Sequence, residues 1–338
     1  MRFAHFQGNG VIRIEEIEKP SPEVDEVLLK VDSCAICGSE KEFFLKGTED
    51  YKGTRNIIGH EVSGTVVGKG ESTKIPEGTR GIVLANIYCG RCSFCQKGLT
   101  NMCHNGIGSY GFSFPGGYAE YMAVKERCFL PINKNISLEE GVLLLDTIGV
   151  PAHALRKVNA ENVKTAAVFG CGPIGLGAIS VMRAFGVSRI YAVEAVKYRL
   201  LQAQRLGAEP VDINQGNAVT QIKEKEKFGV DLALEAVGNP LTQKQALDIV
   251  DINGKVIFIG HGPKLEMDPN VLILKNVSLL GSWYFPINEF KQNQDLIIKH
   301  KIDPKLLISH KFPLARLSEA FNIFLKGETA KVLIKCQE

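Results

Sequence analysis

At 338 residues the chain is long for a single hydrophobic core, and its length implies two domains. Its 45% hydrophobic and 23% charged content excludes a disordered or fibrous protein. With 40 basic against 37 acidic residues the net charge is only +3, and no basic run occurs, so nucleic acid is not an expected partner.

The N-terminal MRFAHFQGNG lacks the apolar stretch of a secretory signal, so a cytoplasmic location is expected. From 11 to 32 the runs VIRIEEI and EVLLKVD are short and strand-like. SCAICGSEKEFF (33–44) follows, with Cys34 and Cys37 at the spacing of a redox dithiol. IIGHEVSG (57–64) then supplies His60 and Glu61. One thiolate (Cys37), one imidazole and one carboxylate would hold a zinc that keeps a position open for water or an alcohol.

CGRCSFCQKGLTNMC places Cys89, Cys92, Cys95 and Cys103 in a C-x2-C-x2-C-x7-C array. Four thiolates so close in sequence match a tetrahedral zinc with no open position, which assigns that metal to holding a loop. Nine cysteines without a secretory context argue against a disulfide framework; Cys34, Cys128, Cys171 and Cys336 read as packing residues. Glycine and proline punctuate these runs closely, so residues 1–148 are expected to form a mainly-β domain.

From 165 the rhythm changes. Six apolar runs (TAAVFG, RIYAVEA, EPVDI, VDLALEAVG, GKVIFIG, VSLLGS) alternate with helical-period segments, the pattern of a parallel sheet covered on both faces in an α/β domain over 149–287. The uncharged stretch from Ala166 to Met182 is broken by Gly170, Gly172, Pro173, Gly175 and Gly177, and reads as strand, turn and helix, so no membrane partner is expected. Within it Gly170, Gly172 and Gly175 stand in G-x-G-x-x-G spacing, with Pro173 and Ile174 between them. Gly170 permits the turn, Gly172 admits a pyrophosphate to the backbone, and Gly175 allows close helix packing. Glu194 ends the next strand, where a carboxylate receives the ribose hydroxyls and repels a 2′-phosphate. Lys197 and Arg199 pull the other way, but the acid holds the ribose position, so NAD is favoured over NADP. After 287 the pattern mixes again, and 288–338 is expected to return to the first domain.

Taken together, Cys37-Gly38-Ser39, Gly59-His60-Glu61, the four-cysteine loop, GGYAEY (116–121), GCGPIGLG and EAVGNP (235–240) make the chain resemble a zinc-containing medium-chain dehydrogenase/reductase over its full length. The nearest branch is that of the sorbitol, threonine and butanediol dehydrogenases, whose polyol members GSWYF (281–285) also resembles. The resemblance implies a GroES-like catalytic domain holding one catalytic and one structural zinc, with a Rossmann domain of six parallel strands inserted in it. It implies an NAD-dependent oxidoreductase acting on a secondary alcohol or ketone of a polyol, sugar, cyclitol or amino alcohol.

The catalytic zinc ligands it implies are Cys37, His60 and a carboxylate from Glu61 or Asp146. Asp146 opens DTIGVPAHA where the branch carries Glu, and Thr147 stands for its Pro. Ser39 matches the residue that takes the alcohol proton. The relay histidine three residues on is here Glu42, and Glu40 stands where an Asp orients the zinc-bound histidine. Cofactor contacts are expected from Gly170, Gly172, Pro173, Ile174, Gly175, Glu194, Arg199 and Val237. By analogy Phe43, Tyr110, Phe112 and Trp283 line the substrate pocket. Relatives are dimers or tetramers, and NVSLLGS offers an edge strand for pairing. Two alternatives stay open: a threonine-type amino-alcohol or aminocyclitol dehydrogenase, and a non-catalytic NAD(H)-binding zinc protein.

Overall fold

The computed structural model describes residues 1–48 and 57–337. The chain divides into two units, one of Met1–Leu145, Pro286–Gln294 and Ile308–Glu338, the other of Asp146–Phe285 and Asp295–Leu307.

In the first unit β1 (Arg2–Gly8) and β2 (Val11–Glu16) form a hairpin. The main sheet is built from β3 (Glu26–Ala35), β4 (Glu61–Lys69), β5 (Arg80–Val83), β8 (Tyr121–Lys125), β9 (Phe129–Pro131), β16 (Ile308–Pro313) and β17 (Lys331–Lys335). Its order is β16-β17-β3-β4-β5-β9, with β8 also on β3. A short ribbon pairs β6 (Asn86–Ile87) with β7 (Gly108–Ser109). Helices α1 (Lys41–Lys46), α2 (Ser93–Gln96), α3 (Leu138–Gly141) and α11 (Leu317–Leu325) complete the unit. β3 is its spine. One edge of β3 pairs with β4 along its length; the other pairs first with β8 and then with β17. Surrounded in this way, β3 buries Val27, Leu29, Val31, Cys34 and Ala35 completely and leaves only Lys30 exposed.

Register decides what this sheet presents at one end. Ala35, the last residue of β3, lies opposite Glu61, the first of β4, and opposite Leu333 in β17. Cys37 just beyond β3, His60 just before β4, and Lys331 at the start of β17 therefore share that end.

The second unit holds the parallel sheet. Its strands are β10 (Thr165–Phe169), β11 (Arg189–Glu194), β12 (Glu209–Asp212), β13 (Val230–Glu235), β14 (Val250–Phe258) and β15 (Ser278–Gly281). All six lie within or overlap the apolar runs read from the sequence. The order β12-β11-β10-β13-β14-β15 is the doubly wound 3-2-1-4-5-6 arrangement, with its crossover point between β10 and β13. Helices α4 (Gly149–Lys157), α5 (Pro173–Ala184), α6 (Lys197–Arg205), α7 (Ala218–Lys223), α8 (Pro240–Ile249) and α9 (Asn270–Lys275) belong to this unit. β14 starts at Val250, four residues before the apolar run beginning at Gly254, because the chain turns straight from α8 into the sheet beside Val230. A Cβ on Gly175 would lie 1.8 Å from the carbonyl oxygen of Gly170, so α5 packs directly on the turn that follows β10.

The C-terminal return differs from a single segment beginning at 288. Helix α10 (Phe290–Ile298) runs across the boundary between the units, and Asp295–Leu307 groups with the second one. The physical reason is that the turn Pro304–Leu307 packs against α5. Among the described residues no helix is long and apolar enough to cross a membrane.

Candidate metal centres and nucleotide pocket

The end of the main sheet just described gathers one group of side chains that could hold a metal ion. Cys37, His60, Glu61 and Asp146 each offer a ligand atom within 4.8 Å of the others. Asp146 follows Leu145 directly, at the peptide bond where the chain passes from one unit to the next. Zinc fits this donor set: a thiolate, an imidazole and carboxylate oxygen are its ordinary protein ligands.

Glu40 organises the group from behind. Its Oε1 lies 2.8 Å from Nδ1 of His60, while Oε2 accepts the Tyr118 phenol at 2.6 Å and the Cys37 N–H at 3.2 Å. A carboxylate on Nδ1 fixes that nitrogen as the donor and leaves Nε2 with its lone pair for a metal. Burial pushes the Tyr118 phenol well above its ordinary range, so it remains a neutral donor. GGYAEY therefore contributes Tyr118, a partner the sequence reading did not assign.

Glu61 has a second role. Lys331, buried on β17, bonds to Glu61 Oε1 and lies 3.3 Å from the carbonyl oxygen of Ile36. Two opposite charges, each essentially without solvent contact, meet beside the metal group. Lys331 also escaped the sequence reading; its one signal is a lysine placed against the apolar run VLI.

Cys34 and Cys37 are both free thiols. Cys34 is enclosed in β3, and burial raises its pKa well above the ordinary value, which disfavours the thiolate that a redox dithiol needs. Ser39 is exposed on the turn beyond Cys37. Glu42, one helical turn further, is also exposed and accepts a hydrogen bond from Lys46 at 3.3 Å. Phe112 lies over His60, with ring centroids 4.9 Å apart, and Phe43 lies 6.0 Å from Phe112. Tyr110 corrects the expectation of a pocket wall: it is buried in the core, where its phenol oxygen accepts the Lys125 N–H at 2.8 Å. Trp283, in the second unit, is half exposed and meets His261 edge to face.

The four-cysteine loop forms the other metal group. Sulfur separations are 3.5 Å for Cys92–Cys95 and 3.9 Å for Cys89–Cys95 and Cys92–Cys103. A tetrahedron of sulfurs about 2.3 Å from zinc has edges of about 3.8 Å, so the cage fits. Backbone N–H groups of Arg91 and Cys92 point at the Cys89 sulfur and lower its pKa, favouring the thiolate.

In the second unit a cavity of about 630 Å³ opens at the C-terminal ends of β10, β11 and β13. Gly170, Gly172, Glu194, Arg199 and Val237 line it. Gly170 has φ +87°, a left-handed conformation that favours glycine, and a Cβ on Gly172 would meet open space. That cradle at the start of α5 suits a pyrophosphate. Pro173, Ile174 and Gly175 instead build the first turn of α5, behind the wall. Glu194 is held firmly: Oε2 accepts the Cys171 N–H at 3.0 Å, and Oε1 accepts those of Ala195 and Val196. Arg199 Nη1 stands 3.6 Å from Glu194 Oε2, so the opposing charges read from the sequence are neighbours. Thr242 and Asn217, also on the wall, were not singled out from the sequence; Asn217 is the N-cap of α7, a position asparagine favours, and Thr242 lies in the first turn of α8.

Two family models match the chain: an alcohol dehydrogenase GroES-like domain over residues 23–134 and a zinc-binding dehydrogenase over 173–299. L-threonine 3-dehydrogenase of Caldanaerobacter subterraneus subsp. tengcongensis is 30% identical, covering 98% of this chain and 96% of its own. Sorbitol dehydrogenase of Bacillus subtilis is 28% identical, covering 99% and 97%. The crystal structure of 2R,3R-butanediol dehydrogenase from Bacillus subtilis aligns with a TM-score of 0.87 at 30% identity, over 99% of both chains.

Removing Lys331 takes the opposite charge away from the buried carboxylate of Glu61. Lys331→Met is expected to lower unfolding stability by about 3–5 kcal/mol, read as a reduced urea midpoint at unchanged slope. A loss below about 0.5 kcal/mol, the size of an ordinary surface change, would show that the pair carries no such load.

Proposed function

The chain belongs to the zinc-containing medium-chain dehydrogenase/reductases, in the branch of the sorbitol, threonine and butanediol dehydrogenases. From that premise we propose that it is an NAD-dependent dehydrogenase interconverting a secondary alcohol and a ketone of a polyol, sugar, cyclitol or amino alcohol. The observation that carries this reading is the convergence of Cys37, His60, Glu61 and Asp146, separate from the closed four-cysteine cage.

A zinc ion bound there supplies Lewis acidity toward the substrate oxygen, and the nicotinamide dinucleotide supplies the hydride acceptor. The residues of the chain do the rest. Glu40 holds His60 with Nε2 available. Asp146 is the carboxylate ligand in this reading, because Glu61 already neutralises Lys331. Phe43 and Phe112 form an apolar wall beside His60 that keeps water from one side of the substrate. Ser39 takes the alcohol proton, and Glu42, three residues on and open to solvent, passes it to water.

Glu194 supports NAD over NADP. Its carboxylate is tied to three backbone N–H groups and does not swing aside, so a 2′-phosphate would meet a fixed negative charge. Arg199, held beside that carboxylate, is partly neutralised by it. β15 ends the parallel sheet, and its outer edge supports pairing with a second copy in a homo-oligomer.

NADH formation from a panel of polyols, threonine and butanediol is expected with at least one substrate, to be lost on chelation and restored by zinc. NAD is expected to be preferred over NADP by about tenfold or more, the equivalent of about 1.4 kcal/mol. Tight NADH binding without turnover of any alcohol would instead support a nucleotide-sensing zinc protein. Glu42→Gln is expected to lower kcat several-fold and to alter its dependence on pH. An unchanged pH profile would assign the proton exit to water alone.

A further inference from the structure

Glu235, the last residue of β13, is completely buried, and no ion pair is formed with it among the described residues. An isolated carboxylate is costly to bury without compensation. Here the compensation is local and dense. Oε1 accepts the N–H groups of Val237 and Gly238, both at 2.9 Å, and lies 2.8 Å from Oγ1 of Thr242; Oε2 lies 3.1 Å from the Gly238 nitrogen. Thr242 is the third residue of α8, whose N-cap is Asn239. The carboxylate is thus held by two backbone N–H groups of the loop that leads into α8 and lies beside the hydroxyl of Thr242 in the first turn of that helix.

The loop it holds is a wall of the nucleotide cavity. Ala236, Val237, Asn239 and Thr242 all line it. Val237 also reaches the opposite side: a Cβ added to Gly170 would lie 2.5 Å from Val237 Cγ2. From above, the loop after β14 closes on the same segment. A Cβ on Gly238 would lie 1.9 Å from the carbonyl oxygen of His261, and one on Gly260 would lie 2.8 Å from Glu235 Oε2. Two loops at the C-terminal edge of the sheet thus lie against one carboxylate, and a third, the turn after β10, rests on Val237.

We propose that Glu235 is a positioning residue for the cofactor, a built-in anion that ties the loop before α8 to the first turn of that helix, fixes Ala236–Asn239 as a rigid wall, and leaves the start of α5 as the anion site open to the dinucleotide. The inference rests on reading the cavity as a dinucleotide site. It predicts a defect in binding rather than in chemistry, since Glu235 is buried behind the wall.

The test uses NADH as the probe and Trp283, the only tryptophan of the chain, as the fluorescent donor. Glu235→Ala is expected to raise the dissociation constant about 10- to 100-fold, the equivalent of lost hydrogen bonds to a charged group. It is expected to raise KM for the dinucleotide far more than it lowers kcat. Formate, which fits the volume and charge removed, is expected to recover most of the affinity in this variant and to do nothing for the wild type or for Thr242→Val, where the carboxylate remains. If Glu235→Ala does not fold, the near-isosteric Glu235→Gln, which turns an N–H toward donors, must raise the constant about tenfold. A folded Glu235→Ala that formate does not rescue, or a folded variant of either kind binding NADH within about twofold of the wild type, overturns the role of Glu235. Failure of the wild type itself to bind NADH would overturn the dinucleotide reading instead.

Discussion

The pairing of β3 with β4 is the constraint on which the metal centre depends. Ala35 opposite Glu61 brings two segments far apart in sequence to one end of the sheet, where Cys37 and His60 meet. Because side chains alternate along a strand, a slip of one residue would turn every side chain of β4 to the other face, exchanging Glu61 for Val62. The core prevents the slip. Val62 and Val66 are buried together with Val27, Leu29 and Val31, and exposing that set would cost several kcal/mol at about 1.5–3 kcal/mol per side chain. Apolar packing thus fixes where a polar site is built.

Once register is set, the buried charges settle against one another in different ways. Glu40 spends its two oxygens on His60, Tyr118 and the Cys37 N–H, so the histidine ring is oriented before any metal arrives. Glu61 is balanced by Lys331, an ion pair with essentially no water around it. Glu235 is balanced by backbone N–H groups and a threonine hydroxyl. In each case the carboxylate is compensated by groups that folding itself supplies, which is what makes burial tolerable.

What the sequence made legible was whatever depends on local pattern. The six apolar runs became the six parallel strands, because a strand covered on both faces needs continuous hydrophobicity. The cysteine array and the glycine turn were readable because their ligands or hinges lie within a few residues of one another. Asp146 was reachable only through family resemblance, since nothing local joins it to Cys37 or His60. Tyr118, Lys331 and Glu235 stayed hidden for the same reason: their roles arise from strand pairing or loop stacking. Tyr110 shows the converse error. Analogy with the family suggested a pocket wall, but Lys125 at the end of β8 and Cys128 on the turn after it meet the ring in the core. The division after residue 288 was blurred because α10 is one continuous helix serving both units.

The proposed function requires two separate zinc centres, one closed by four cysteines and one organised by Glu40 and His60. Zinc per chain, measured by elemental analysis of the purified protein, tests it most directly when wild type, His60→Ala and Cys92→Ser are compared. Two zinc ions are expected in the wild type and one in His60→Ala, with the four-cysteine zinc retained in that variant. Loss of the cage metal is expected in Cys92→Ser. A single zinc in the wild type that survives His60→Ala unchanged would contradict it.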